Sequence, residues 1–177
     1  MQFEIILLDK TCKPIKHKYR PLNDLQKQIL LQQIQDWKDA GVVTLHDTIP
    51  ADAWVSPFHG VLKPLKGEKP IIRWTIDMRS INSHTAPLTI SLPSVEDNIL
   101  QLANSKYFSC LDFSQGYHHM KVHSNSLRFM YVAGPSCYVR LEYMAFGLKN
   151  AAAFFTIWVR QLYDKLPMSL KQYCVIY

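Results

Sequence analysis

An α+β fold is what this 177-residue chain predicts. Stretches of helical period alternate with short apolar strand patterns, and the strand patterns read as antiparallel. No regular strand–helix–strand rhythm connects them, which argues against a doubly wound parallel sheet. Hydrophobic residues make up 48% of the chain and charged residues 19%. That is enough apolar material for a core and too little charge for global disorder. The length suits one ordinary domain, or one domain with part of another.

Residues 1–20 read as a short strand at Phe3–Leu8 followed by a basic connector. Pro21 opens a helix, Asn23 stands at its cap, and Gln26 takes the capping-box position. Leu22, Leu25, Ile29, Ile34 and Trp37 fall on one face, and Gly41 ends the helix. A loop-rich span with Pro50, Pro57 and Pro64 follows. Strands are expected at Phe58–Leu62 and Ile71–Ile76, joined by a turn at Lys66–Lys69. Pro87 and Pro93 bracket an extended crossing segment. Ser94 caps a short helix that buries Val95, Ile99 and Leu102, with Asp97 completing its capping box. A strand over Tyr107–Phe113 comes next, then strands and turns over 120–145, with Gly134-Pro135 the sharpest turn. Asn150 caps a helix reaching about Leu166, with Phe155, Trp158 and Leu162 in its apolar stripe, and Pro167 stops it. A last apolar strand, Tyr173–Tyr177, closes the chain.

Charge and cysteines set the class of partner. The net charge is +6, with a dense basic run from Lys10 to Arg20. That bias favours a polyanionic partner, although the run itself reads as a solvated connector. Cys12, Cys110, Cys137 and Cys174 form no CxxC pair, so reduced, intracellular thiols are expected. Phe3–Leu8 lacks the basic region of a signal peptide, and Ala151–Val159 is too short to span a membrane. His118, His119, His123 and Cys137 are spaced for neither a zinc finger nor a paired-cysteine site. No Gly-x-Ser-x-Gly elbow marks a hydrolase serine.

Asp112 is the residue that asks for chemistry. Strand alternation puts it on one face with Phe108 and Cys110. A lone acid on a half-buried strand costs free energy unless something pairs it. The partner is a lysine in a purely structural setting and Mg²⁺ in an enzyme that acts on phosphates. Taken alone, Tyr117 would be a core aromatic, and Arg73, Asp77 and Arg79 a solvated strand edge.

The order of the motifs carries more than any one of them. Trp54–Pro57 with Val61–Lys63, then Arg73-Trp-Thr-Ile-Asp77-Met-Arg79-Ser-Ile-Asn82, Leu92-Pro93, Leu111-Asp112-Phe-Ser-Gln-Gly116-Tyr117-His118, and Phe146-Gly-Leu-Lys-Asn150-Ala151 follow one another. In this sequence and spacing the chain resembles the fingers and palm of a reverse transcriptase, most of all the gypsy class of LTR retrotransposons and related retroviral polymerases. The resemblance runs from about Tyr19 to Tyr177. It implies a right-hand polymerase fold with fingers at about 21–90 and 120–150. The palm would be partial, at about 91–119 and 151–177, and cut before the Tyr-x-Asp-Asp motif to which Val175–Tyr177 would lead.

The resemblance also assigns roles. The parent activity would be RNA-directed DNA polymerisation by two Mg²⁺ ions, with Mn²⁺ as a substitute, and Asp112 would hold both ions. The backbone of Phe113, Ser114, Gln115 and Gly116 would face the triphosphate. Tyr117 would lie under the sugar of the incoming deoxynucleotide, and Phe146 and Gly147 would floor its pocket. Arg73 with Lys63 or Lys66 would neutralise the triphosphate. Asp77, Arg79, Lys149 and Asn150 would meet the template strand. Partners would be an RNA or DNA template with its primer, deoxynucleoside triphosphates, and the thumb, connection and RNase H parts of a Pol polyprotein. The setting would be the cytoplasm or a virus-like particle. Met78 stands where the family has an aromatic, Ala145 and Ala152 where it has Pro, and Thr156 where it has Gln. One of three expected carboxylates is present, so the chain as it stands is expected not to polymerise DNA. The rival expectation is a non-catalytic remnant that binds nucleic acid or a protein partner.

Overall fold

A computed structural model describes residues 1–63, 71–91, 94–103, 105–171 and 174, and the side chains of 62, 63, 71, 73, 95 and 101 lie outside that description. The turn expected at Lys66–Lys69, the Leu92-Pro93 pair and most of the Tyr173–Tyr177 strand fall outside it as well.

Helix α1 spans Asp24–Asp39 and begins as the sequence predicts. The Asn23 side chain accepts the Gln26 N–H at 2.8 Å, and the Gln26 side chain accepts the Asn23 N–H at 3.2 Å. Two N–H groups that a helix start leaves unpaired are thereby satisfied. At the other end the Gly41 N–H reaches Lys38 O and the Val42 N–H reaches Trp37 O, the paired bonds of a Schellman stop. The buried face differs from the expected one. Leu30 and Ile34 are its fully buried members, while Leu25 is exposed.

Strand β1 (Val43–His46) follows inside the span expected to be loop. Strands β2 (Val55–Lys63) and β3 (Ile71–Ile76) form the expected antiparallel pair, with Phe58 opposite Ile76. β2 starts earlier than Phe58 because its first residues pair parallel with β4 (Tyr131–Ala133), placing Pro57 opposite Ala133. β5 (Tyr138–Leu141) returns antiparallel to β4 through the turn at Gly134, whose N–H reaches Cys137 O at 3.0 Å. The sheet order is β1-β5-β4-β2-β3. One parallel seam therefore joins antiparallel pairs, in keeping with an α+β fold.

The first residues do not form a regular strand. They touch the fold through isolated bridges, Phe3 to Val122 and Leu7 to Thr85, with Phe3 and Ile5 buried and Ile6 and Leu8 exposed. The basic connector is less solvated than expected. The Val55 N–H donates to Ile15 O and the His17 N–H to Val55 O, both at 2.9 Å, so residues 15–17 flank the start of β2.

Helix α2 (Arg79–His84) is a short turn of helix within the Arg-rich motif that the sequence reading missed. Helix α3 (Val95–Leu102) is capped by Ser94, whose hydroxyl accepts the Asp97 N–H at 3.0 Å. Its apolar side is not buried as expected, since Ile99 and Leu100 are exposed. Helices α4 (Ala151–Asp164) and α5 (Met168–Lys171) complete the described elements. The core gathers Phe3, Leu30 of α1, Ile81 of α2, Met120, Phe129, Met130 and Val139 of β5, and Phe3 meets Phe154 of α4 edge-on at 4.9 Å.

Among the described residues, the segment expected as a strand at Tyr107–Phe113 is not part of one. The segment carries no ladder, and Tyr107 and Leu111 are each 93% exposed. Alternation predicts which faces a strand would show, but it does not specify the hydrogen-bonding partner that a ladder needs.

Candidate functional site

The turn Phe146–Asn150 is the point on which the motifs converge. Gly147 holds φ +87°, a backbone region that a side chain strains to enter, and its carbonyl accepts the Asn82 amide at 2.7 Å. The Asn82 side-chain oxygen in turn accepts the Lys149 N–H at 2.8 Å. One asparagine at the end of the Arg73–Asn82 motif therefore fixes both sides of the Gly147 turn. Lys149 Nζ donates to Thr85 O at 2.8 Å. Asn150 is buried, with its amide donating to Ala86 O at 2.8 Å and its side-chain oxygen accepting the Leu88 N–H at 3.0 Å. Asn150 does not cap α4 with its side chain as expected, because that side chain is already engaged with the crossing segment.

On the other side of the same turn lies the Leu111–His118 motif. The Tyr117 ring sits 4.7 Å from the exposed Phe146 ring, and His118 faces Phe146 at 6.2 Å. Two residues that the resemblance assigns to one pocket thus lie in ring contact. Burial, with the neighbouring His119 adding to it, pushes the His118 imidazole below its ordinary value. The 3-10 turn Gly116–His119 rests on α4, where Tyr117 and Phe113 both meet Phe155. Gly116 is needed for that contact: a Cβ there would lie 2.7 Å from the Phe155 ring. Gln115 adopts a left-handed φ of 50°, uncommon for a residue with a side chain, and Gln115 Oε1 lies 3.0 Å from His118 Nδ1. Ser114 O lies 3.3 Å from His119 Nε2.

Asp112 is exposed, which corrects the expectation of a half-buried acid; water solvates the carboxylate, and no burial cost has to be offset. It lies at a cleft of about 490 Å³ whose other walls include Cys110, Phe113, Cys174 and the α4 residues Phe155, Val159 and Leu162. Among the described residues, no three His, Cys, Asp or Glu side chains gather to hold a metal ion. Asp112 is a hard oxygen donor of the kind Mg²⁺ takes.

A second cleft, of about 420 Å³, is lined by Arg20, His59, Thr75, Asp77, Arg79 and Asn82, among others. Arg79 grips Asp77 with Nε at 2.8 Å and Nη2 at 2.7 Å, and Arg20 Nη2 reaches the same carboxylate at 3.1 Å. The Arg79 hydrogen bonds hold the Asp77 carboxyl far below the ordinary range, against an opposing burial penalty, with Arg20 adding to the effect. Arg20 is the residue that sequence reasoning missed. Its signal was weak, because nothing local ties a connector cation to an acid so distant in sequence. Lys66 lies outside the described residues, as do the side chains of Lys63 and Arg73, although Arg73 pairs with Val61 in the β2–β3 ladder.

No family model matches the chain. Across 171 residues it is 26% identical to the retrovirus-related Pol polyprotein from transposon opus of Drosophila melanogaster, covering 94% of this chain and 16% of that protein. The retrovirus-related Pol polyprotein from transposon gypsy of the same organism is 31% identical over 108 residues, 59% of this chain and 10% of the relative. The chain thus spans a small part of the curated relatives it matches. Among solved structures, the prototype foamy virus protease-reverse transcriptase superposes with a TM-score of 0.69 at 23% identity, over 91% of this chain and 21% of that one. The foamy viral protease-reverse transcriptase in complex with dsDNA gives 0.70 at 20% identity, over 94% of this chain and 31% of that one. A foamy viral enzyme bound to an RNA/DNA hybrid gives 0.66 at 18% identity, over 91% of this chain and 21% of that one.

Proposed function

We propose that this Pol-related chain, folded like a reverse transcriptase, is the part of a retroelement polymerase that meets the template and the incoming nucleotide. The observation that carries the reading is the Phe146–Asn150 turn, with the Tyr117 ring at 4.7 Å on one side and Asn82 bonded at 2.7 Å on the other. Three motifs far apart in sequence build one strip there. Tyr117 and Phe146 offer an aromatic floor on which a base or sugar stacks. Arg79, exposed beside that strip, offers N–H donors to a phosphate. Asn82, Lys149 and Asn150 act by holding the turn in place. The foamy viral relatives bound to dsDNA and to an RNA/DNA hybrid support the choice of ligand.

The parent activity in this reading is nucleotidyl transfer from a deoxynucleoside triphosphate to a primer on an RNA or DNA template. Mg²⁺ would supply Lewis-acid stabilisation of the phosphates, with Asp112 as one of its carboxylates. The thumb, connection and RNase H regions of a Pol polyprotein would be the covalent partners.

Titration of the chain with a labelled RNA/DNA primer–template at several KCl concentrations tests the reading. Expected is binding whose log affinity falls linearly with log salt, weakened by Arg79→Gln at every sequence tried. Binding that ignores salt, or none at low salt, would sink the reading.

A further inference from the structure

The Arg20–Asp77–Arg79 cluster holds more positive charge than its acid needs. Arg79 alone engages both Asp77 oxygens in a fork, at 2.8 and 2.7 Å. Arg20 adds a second guanidinium at 3.1 Å to an oxygen already bonded. The carboxylate lies inside, with its side chain 13% exposed, and the cations lie outside, at 47% for Arg20 and 85% for Arg79. A bare ion pair serving stability would contribute little at this exposure. What the arrangement does achieve is to order two planar donors on one open cleft, each with N–H groups left over.

Arg20 does not reach this place by chance of a loose connector. Residues 15–17 flank β2 through two 2.9 Å backbone bonds, and His17 Nε2 lies 2.7 Å from Ser80 Oγ of α2. The connector is pinned at both the sheet and the helix just before Arg20. His59 and Thr75, directly opposite each other on β2 and β3, complete the wall of the cleft.

We infer that Arg20 belongs to the nucleic-acid site, sharing Asp77 with Arg79 so that two guanidiniums face one stretch of phosphodiester backbone. An open cleft with a surplus of exposed arginine suits a polyanion that runs across it rather than an enclosed small anion. The inference rests on the proposed template-binding reading and extends it to a residue from the N-terminal connector, as a backbone contact that carries no base preference.

The test measures the slope of log affinity against log KCl for the full chain and a primer–template with a single-stranded 5′ overhang. Arg20→Gln is expected to lower the slope by about 1 and to weaken binding to all sequences equally, and Arg20→Lys to keep most of the slope. Thermal unfolding of each variant runs alongside. A wild-type slope in Arg20→Gln overturns the inference. So does a loss of slope in both variants that tracks a fall in melting temperature, which marks a purely structural residue. Failure of the unaltered chain to bind the duplex overturns the template reading and this inference with it, whereas salt-sensitive binding by the unaltered chain with no effect of Arg20→Gln overturns this one alone.

Discussion

Tyr19 shows how a residue can be well placed and poorly satisfied. Its hydroxyl is buried with no hydrogen-bond partner among the described residues, and burial raises the phenol above its ordinary range. A hydroxyl in that state forgoes the water bond it has in the unfolded chain. Tyr19→Phe is therefore expected to stabilise the chain by about 1 kcal/mol, read from urea unfolding; a loss of stability would show that an unseen partner matters. Asp77 makes the opposite case. Its folded carboxyl is held far below the unfolded value of about 3.9, so its contribution is full above about pH 5 and is lost as pH falls toward the folded value. Asp77→Asn should start less stable at pH 7 and then lose less than the unaltered chain as the pH drops from about 5 to 2. Parallel stability curves over that window would contradict the assignment. At this scale the order of the motifs drew attention to Tyr117, Phe146 and Asp77, which no one of them would have done alone, but the contacts of Asn82 and Arg20 depend on partners that no local pattern encodes.

Elements were readable in proportion to how local their determinants are. The α1 cap and stop came through because Asn23, Gln26 and Gly41 act within a turn of themselves. The β2–β3 pair came through because both strands carry dense β-branched and aromatic residues. β1 was missed because four residues among prolines and polar groups leave too little pattern to read. Residues 107–113 are not a strand among the described residues, and alternation, which describes a face, does not say which partner a strand would take. The α1 face shows the same limit: Leu25 fits the helical stripe yet is exposed, and Leu30 is closed off by packing from elsewhere. Leu30→Ala is expected to cost about 2–5 kcal/mol and Leu25→Ala below about 0.5, both from denaturant midpoints at constant slope. Equal costs would mean that the described face of α1 is wrong.

For the whole molecule, β2 and β3 make one antiparallel ribbon, β4 and β5 another, and the parallel register of Val55, Ser56 and Pro57 against Tyr131, Val132 and Ala133 joins them. That junction has a consequence in time. The β4–β5 ribbon closes through a short turn and can form quickly, but the parallel contact closes a loop over many residues before any of its pairing is gained. The slow step of folding should then be the meeting of the two ribbons. Val132, fully buried in the seam, would report on it. Val132→Ala should mainly slow refolding, while Leu30→Ala should mainly speed unfolding, as read from the two limbs of a chevron. If both substitutions acted on the unfolding limb alone, the ribbons would have met after the barrier. The rate at which this chain becomes a single sheet would then be set elsewhere.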